Sequence, residues 1–256
     1  MGKQIFRGVR RGQNKSLHGK TGGKSQLRLY GRHAVSAALA NPNRLLMALF
    51  GTERALDALD LPKGLEVRVA DDKMLDKMVG ADVPHQGLVL ETEPLEALSL
   101  EDVLETAGNK PLVMLDQVTD PQNLGAILRS AAAFGVAAVI TQDRHSPIES
   151  GALAKAASGC LEIVPWVRVV NLSRALEMIA EAGWWRVGLD GEAEQPLASI
   201  MTAERVCLVL GAEGAGIRPN VAEHCDVLAR LPISDMVESL NVSTATAVAL
   251  YAATVR

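Results

Sequence analysis

The chain has 256 residues, enough for one large domain or two smaller ones. Its 48% hydrophobic and 22% charged residues are ordinary for a soluble globular protein, whereas aromatic residues make up only 3%. So few aromatic side chains favour an α/β core built from Ala, Val, Leu and Ile. They disfavour the sheets that recognise RNA by stacking bases on aromatic rings.

The formal net charge of −4 conceals a strongly basic N-terminus. Residues 1–52 hold 10 of the 26 Lys and Arg and none of the 30 Asp and Glu, so the remaining residues carry a net charge of −14. A basic, glycine-rich arm is typical of a phosphate-binding tail. A solvated leader with no specific partner explains the charge equally well, and both interpretations stay open. Residues 1–26 are predicted to be disordered.

The cysteines and histidines indicate neither a metal site nor a disulfide scaffold. Three cysteines and five histidines are scattered without ligand-like spacing, which favours a reducing cytoplasm and predicts no metal. No apolar run is long enough to cross a membrane, so no membrane partner is expected. The basic N-terminus lacks the apolar segment of a secretory signal, and its glycines and weak amphipathicity argue against an organelle transit peptide.

Residues 27–92 are predicted to form a small α/β module whose structure begins near Leu27. Its helices are predicted over residues 31–40, 53–59 and 71–78, and its strands over 45–50, 65–70 and 86–91. The acidic residues 93–108 include a proline and are predicted to be a linker with at least one helical turn.

Residues 109–256 alternate between apolar strands and helices. The strands are predicted over residues 111–116, 136–141, 162–167, 184–189, 206–210 and 228–233, and the helices over 123–134, 151–157, 172–182, 217–224 and 242–255. Nearly continuous apolar strands that alternate with helices are typical of a parallel sheet covered on both faces. The predicted fold class is therefore α/β, with a parallel-sheet domain that follows a smaller α/β module.

Two loops rich in small and polar residues follow strands near the C-terminus. The sequence GAEGAGI at residues 211–217 carries one acid, Glu213, and residues 234–239 lead into the last helix. Ligands of open α/β sheets bind at the carboxyl ends of strands, so we predict one pocket lined largely by backbone. The glycine spacing is the reverse of the dinucleotide fingerprint, which disfavours nicotinamide binding. A tight turn with an exposed Glu213 is the structural alternative.

Each polar residue near these strand ends has a structural interpretation beside the functional one. Asn123 is either the N-cap of its helix or a functional amide, and Ser239 or Asn241 can likewise cap the last helix. Gly125 costs its helix about 1 kcal/mol relative to Ala, which indicates close approach by a neighbouring helix or a ligand. Arg129 is either a surface cation or a clamp for a phosphate.

Three segments in order over residues 112–251 resemble the signature motifs of the SpoU (TrmH-type) class of SPOUT methyltransferases: NLGAILR, LVLGAEGAGI and LPISDMVESLNVSTATAVALY. YGRHAVSAAL at residues 30–39 and VPHQGLVL at residues 83–90 resemble the substrate-binding module of that family. This two-domain arrangement is typical of the branch that methylates a guanosine ribose in 23S ribosomal RNA. The resemblance implies S-adenosylmethionine as the methyl donor, a deep trefoil knot in the C-terminal domain and a homodimer through that domain.

The resemblance also assigns roles by motif position. It implies catalytic roles for five side chains: Asn123, Arg129, Glu213, Ser239 and Asn241. It implies that the methyl donor is held by backbone groups at Gly211, Leu231 and Leu240. Ala212 stands where many relatives have Asn, but Ala also occurs there in the ribosomal RNA branch. Glu238 adds a less usual carboxylate, which can alter the contacts with RNA.

The implied reaction is in-line attack of a ribose 2′-hydroxyl on the sulfonium methyl, which requires alignment rather than a metal. Because a guanidinium stays protonated in proteins, Arg129 is expected to bind the adjacent phosphate and stabilise the developing alkoxide. Asn123, Ser239 and Asn241 are expected to orient Arg129 and the ribose. Glu213 is expected to hold the donor pocket or Arg129. Two alternatives stay open: a tRNA guanosine-2′-O-methyltransferase, and a non-catalytic RNA-binding or ribosome-assembly factor with the same fold.

Overall fold

The computed structural model describes residues 26–144 and 146–254. The predicted disordered tail therefore lies outside the described residues, apart from Gln26. The strands are β1 (Leu27–Tyr30), β2 (Leu46–Gly51), β3 (Glu66–Val69), β4 (Leu88–Thr92), β5 (Leu112–Leu115), β6 (Ala138–Gln142), β7 (Trp166–Val169), β8 (Trp185–Leu189), β9 (Gln195–Pro196), β10 (Val206–Leu210) and β11 (Val227–Arg230). The helices are α1 (Arg32–Ala40), α2 (Glu53–Leu56), α3 (Asp72–Val79), α4 (Leu100–Thr106), α5 (Pro121–Ala133), α6 (Gly151–Ala157), α7 (Leu172–Glu181), α8 (Leu197–Ile200), α9 (Pro219–Ala222) and α10 (Val242–Thr254), with a 3₁₀ turn at Cys160–Glu162.

The N-terminal module is built on a four-stranded sheet of order β1-β4-β2-β3. Strand β4 runs antiparallel to β1 and β2, whereas β2 and β3 are parallel. Strand β1 was not predicted as a strand, because four residues next to a polar tail give too short a pattern. Its Leu29 pairs with Leu90 of β4, and both side chains are fully buried.

The C-terminal sheet has seven strands in the order β7-β6-β5-β10-β8-β11-β9, and all neighbouring strands are parallel. The predicted parallel sheet is therefore confirmed. Alternate residues of a strand face opposite sides. Leu112 accordingly belongs to the apolar cluster beneath α7, whereas Val113 belongs to the cluster beneath α5, α6 and α10. Among the described residues, the longest helices have 13 residues, and none is long and apolar enough to cross a membrane.

Several predicted element bounds are corrected by local geometry. Helix α5 begins at Pro121 rather than Asn123, because Asp120 caps it and proline suits the first helical position. The predicted strand 162–167 is wrong: the 3₁₀ turn comes first, and β7 starts only at Trp166. Strand β11 ends at Arg230, so Leu231 lies beyond it. Strand β9 and helix α8 were not predicted.

The two modules are joined by a buried ion cluster, here called the Arg44 cluster (Arg44, Glu149 and Glu162). The side chain of Arg44 has no exposed surface, and those of Glu149 and Glu162 are 9% and 3% exposed. The guanidinium donates to Glu149 over 2.5 Å and pairs with both carboxylate oxygens of Glu162. Because desolvated charges are costly unless fully paired, this cluster fixes one arrangement of the two modules.

Candidate active site

The polar strand ends gather at one edge of the C-terminal sheet. Strands β5, β10, β8 and β11 are consecutive in the sheet and parallel, so the loops that follow them lie side by side. The loop after β8, residues 190–194, therefore lies between the two loops that the sequence singled out. Sequence reasoning missed this loop, although the polar run GEAEQ directly after an apolar strand is the same kind of signal.

The three motifs meet in one hydrogen-bond network around the carboxylate of Glu213. Its Oε1 accepts from Nδ2 of Asn123 over 3.1 Å and from Nδ2 of Asn241 over 2.5 Å. The same amide of Asn241 donates to Oδ1 of Asn123 over 2.9 Å. Because Asp120 caps α5, the side chain of Asn123 is not used for capping and can reach Glu213. The capping alternative for Asn123 is therefore wrong.

Asn241 also caps the last helix, as its structural interpretation predicted. Its Oδ1 accepts from the backbone N–H of Ser243 over 2.9 Å and from that of Thr244 over 3.4 Å. Glu213 Oε1 additionally lies 3.4 Å from the backbone nitrogen of Val242. One asparagine thus holds the start of α10 and the Glu213 turn together.

Arg129 lies outside this network. It is exposed and forms no hydrogen bond or ion pair with any residue that the structure describes. Six residues of helix separate it from Asn123, about 9 Å along the axis and roughly 120° around it, so the two side chains do not meet. The expected orientation of Arg129 by Asn123, Ser239 and Asn241, and its expected contact with Glu213, are therefore absent. Ser239 is likewise exposed and makes no hydrogen bond to a described residue.

The positive charge of Arg129 influences the pKa of the neighbouring thiol of Cys160. Burial raises the pKa of Cys160, and Arg129 opposes that shift because its charge favours the thiolate. Cys160 opens the 3₁₀ turn beside α5. This places Arg129 at the side of α5 that faces the turn.

Gly211 packs against its own turn. A Cβ added there would lie 1.9 Å from the carbonyl carbon of Gly216, and a short antiparallel bridge joins Ala212 to Gly216. Gly214 and Gly216 adopt left-handed φ angles of 77° and 66°. A side chain at Gly211 would therefore disturb the turn itself and not merely fill a ligand pocket.

Gly125 is explained by helix packing. Its added Cβ would lie 2.4 Å from the Cβ of Ala156 and 2.8 Å from the backbone nitrogen of Ala157, both on α6. Of the two interpretations of this glycine, close approach by a neighbouring helix is therefore confirmed.

The buried Asp116 and the half-buried Arg218 form an ion pair that sequence reasoning missed. Asp116 follows β5 and is fully buried, and its carboxylate accepts from the backbone N–H of Arg218 over 2.9 Å and from the guanidinium over 2.7 Å. The guanidinium also donates to Gln142 over 2.9 Å. An acid at the end of a buried strand was the available signal. The pair anchors the chain directly after the Glu213 turn.

The three residues expected to hold the methyl donor are half-buried near the same sheet edge: Gly211, Leu231 and Leu240. Their main-chain groups take part in none of the turn, loop or cap hydrogen bonds of the described residues. Main-chain groups that are not used in these bonds fit a ligand that is recognised through backbone contacts. Among the described residues, no cluster of His, Cys, Asp and Glu could hold a metal ion.

Both modules match known families. Residues 110–251 match the SpoU rRNA Methylase family, and residues 28–98 match the family described as RNA 2′-O ribose methyltransferase substrate binding. The 23S rRNA (guanosine-2′-O-)-methyltransferase RlmB of Pseudomonas aeruginosa is 41% identical over 235 residues, which span 88% of this chain and 94% of that protein. The enzyme of the same name from Escherichia coli K12 is 38% identical and spans 88% of this chain and 96% of its own.

Solved structures share the fold. A putative RNA methyltransferase of the TrmH family from Porphyromonas gingivalis superposes with a TM-score of 0.73 at 28% identity, covering 90% of each chain. An AdoMet-bound rRNA methyltransferase from Sinorhizobium meliloti superposes with a TM-score of 0.75 at 25% identity, covering 89% of this chain and 86% of that one. The chain therefore belongs to the SpoU rRNA methylase family of RNA 2′-O-ribose methyltransferases.

Proposed function

We propose that this protein transfers the methyl group of S-adenosylmethionine to the ribose 2′-hydroxyl of a guanosine in 23S ribosomal RNA. The observation that carries the proposal is the network in which Asn123, Glu213 and Asn241 join three separate motifs at one sheet edge. The relatives named for this reaction resemble the chain over nearly their whole length, including the N-terminal module.

The methyl donor binds in the groove formed by the loops after β10, β8 and β11. Main-chain groups of Gly211, Leu231 and Leu240 contact its adenine and amino-acid portions. When bound, the donor supplies an electrophilic methyl on a sulfonium centre. Glu213 holds the shape of this groove, because its carboxylate is hydrogen-bonded to Asn123 and Asn241 rather than to Arg129.

Arg129 acts on the RNA. An exposed guanidinium without a partner among the described residues is available for the phosphate next to the target ribose. From there its charge stabilises the alkoxide that develops as the 2′-hydroxyl loses its proton. Ser239 is exposed near the end of the loop before α10 and is available to orient the ribose.

The substrate is selected by the N-terminal module. We assign residues 27–92 to this module, 93–108 to the linker and 109–256 to the methyltransferase domain, with 1–26 as a basic tail for RNA phosphates. The expected trefoil knot and cytoplasmic location stay predictions.

A homodimer through the C-terminal domain also remains a proposal. It is supported by the outer side of α10, where Val248 is 45% and Tyr251 58% exposed. The ring of Tyr251 meets the ring of Phe134, which directly follows α5, edge-on with centroids 6.4 Å apart, so apolar groups of α10 adjoin the end of α5.

The test is methyl transfer to defined RNA. Unmethylated 23S rRNA transcript and total tRNA would each be incubated with the protein and labelled S-adenosylmethionine, and the modified nucleotide mapped by mass spectrometry. We expect a single 2′-O-methylguanosine in 23S rRNA. Label in tRNA alone would support the tRNA enzyme instead, and absence of transfer to either RNA would support a non-catalytic factor.

A further inference from the structure

A cavity of about 620 Å³ opens on the N-terminal module beside α1 and the loop before β4. Its volume is that of a typical small-ligand site. Arg32 and Arg54 line it, and neither guanidinium forms a hydrogen bond or ion pair with a described residue. The cavity wall also includes the carboxylates of Asp72 and Asp76. The cavity is therefore lined both by guanidinium groups, which can donate to an anion, and by carboxylates, which can accept from N–H groups.

Gln86 stands at the edge of this cavity in a strained conformation. Its φ of 56° is left-handed, which a residue with a long side chain rarely adopts, and such strain concentrates at functional sites. Its Oε1 accepts from the backbone N–H of Arg32 over 3.0 Å and from Nζ of Lys155 over 2.6 Å. Since the oxygen accepts two hydrogen bonds, the amide NH₂ group of Gln86 is the part of the side chain that can donate to a ligand.

The buried His85 fixes the position of this loop. Its Nδ1 accepts from the backbone N–H of Gly87 over 3.1 Å, which places the ring proton on Nε2. That Nε2 lies 3.2 Å from Oδ1 of Asp76. The carboxylate of Asp76 is thereby engaged, whereas Asp72 is exposed and makes no ion pair with a described residue.

Lys155 connects the cavity to the methyltransferase domain. It lies on α6, and the next residue, Ala156, fills the space beside Gly125 of α5. Arg129 follows Gly125 by one helical turn, about 6 Å along α5. A second contact joins the modules, since the added Cβ of Gly159 would lie 2.8 Å from Ala37 of α1. The cavity edge is therefore connected by packed helices to α5, the helix that carries Arg129.

We propose that Arg32 and Gln86, with Lys155 holding Gln86 in place, form a second RNA-binding subsite at this junction, which holds an unpaired nucleotide flanking the methylated guanosine. The inference rests on the proposed function and assigns a further binding site on this protein to the same RNA substrate. Arg32 binds the phosphate of that nucleotide, while the amide of Gln86 and the carboxylate of Asp72 face the edge of its base. A nucleotide fits better than free phosphate, because the cavity offers acceptors as well as cations.

The first test replaces Arg32, one of the two arginines that line the cavity. Arg32→Gln should weaken binding to unmethylated 23S rRNA transcript about tenfold and reduce the salt slope by about one, as loss of one phosphate contact requires. The matched control is Arg174→Gln on α7, an exposed arginine without a described ion pair on the opposite face of the sheet. It should bind the transcript as the unaltered protein does.

The second test separates binding from folding. Gln86→Gly relieves the left-handed strain but loses the hydrogen bonds from Arg32 and Lys155, so the two effects on the melting temperature oppose each other and the variant should still fold. Its RNA affinity should nevertheless fall several-fold, with the calorimetric Kd for S-adenosylmethionine unchanged. A residue with a purely structural role would change stability and leave RNA affinity alone.

The outcomes also separate this inference from the proposed function. If the unaltered protein binds the transcript but transfers no methyl group, the proposed function fails. The subsite is then still tested by comparing transcript binding of the two variants with that of the unaltered protein. If it methylates 23S rRNA while Arg32→Gln and Gln86→Gly bind the transcript normally, the subsite alone is overturned. If the unaltered protein does not bind 23S rRNA, both are overturned.

Discussion

Asn241 donates a hydrogen bond to Glu213 over 2.5 Å across 28 residues of sequence, and the same side chain caps α10 through its oxygen. The amide nitrogen and the amide oxygen of one residue therefore serve different purposes. The nitrogen bonds the last loop to the Glu213 turn and to Asn123. The oxygen caps the N-terminus of α10, which begins where that loop ends. Substitutions that remove one atom but keep the other can separate these two contributions.

Asn241→Ser should keep the helix cap and lose the contact with Glu213. Serine caps helices about as well as asparagine, so the melting temperature should stay close to that of the unaltered protein. We expect kcat/KM for RNA to fall at least tenfold, because the Glu213 turn loses a charge-assisted donor. Asn241→Ala should lose activity and also about 0.5–2 kcal/mol of stability. A serine variant with normal turnover would show that the amide nitrogen is dispensable.

Arg129→Lys should retain charge but lose the planar fork of the guanidinium. We expect kcat to drop by about 10²-fold, because the group acts on charge that develops in the transition state. The Kd for S-adenosylmethionine, measured by calorimetry, should be nearly unchanged, and so should stability, since Arg129 bonds no described residue. Equal turnover of the lysine variant would reject a geometric role and leave simple charge attraction.

Gly211→Ala should disrupt the turn that carries Glu213. The added methyl would collide with the backbone of Gly216, which cannot move aside as a flexible side chain could. Both donor affinity and melting temperature should fall. Gly214→Ala is the matched control, because a Cβ at Gly214 meets nothing within 4 Å and only its left-handed φ is strained. It should lose about 1 kcal/mol of stability and much less donor affinity. Equal donor affinity for the two variants would contradict this account.

The local elements were predictable where one sequence signal dominates. Strand β10 at Val206–Leu210 and helix α6 at Gly151–Ala157 were predicted to the residue, because an uninterrupted apolar run and a serine before a small-residue helix allow few alternatives. The strand predicted over 162–167 was wrong in its first half, since a turn beside α5 comes first and only Trp166 and Val167 join the sheet as the start of β7. That choice depends on tertiary packing rather than on pattern.

The composition of the site was predictable, but its connections were not. The motifs drew attention to Asn123, Glu213 and Asn241, whereas their mutual hydrogen bonds depend on the strand order of the sheet. The separation of Arg129 from Asn123 already follows from the predicted helix over residues 123–134, because six residues of helix place the two side chains apart. The Arg44 cluster had no local signal, because its partners lie 105 and 118 residues away.

Arg44→Met should destabilise the contact between the modules. Removing the guanidinium leaves the buried carboxylates of Glu149 and Glu162 without their cation, which costs about 3–5 kcal/mol. Urea unfolding would measure the loss. The triple variant Arg44→Met, Glu149→Gln, Glu162→Gln removes the unpaired charges and should recover part of the stability. If Arg44→Met unfolds at the same urea concentration as the unaltered protein, the cluster does not hold the modules together.

Deleting residues 1–26 should weaken RNA binding without changing the methylated nucleotide. This tail carries seven cations and no acid: Lys3, Arg7, Arg10, Arg11, Lys15, Lys20 and Lys24. Counterions released from RNA phosphates on contact add affinity with little sequence preference, so the truncated protein should show a flatter salt dependence. Replacing the seven cations by Gln keeps the length of the tail and should give the same result. The acidic remainder repels RNA at long range, so association should slow most at low salt. An unchanged salt slope would show that the tail is a solvated leader.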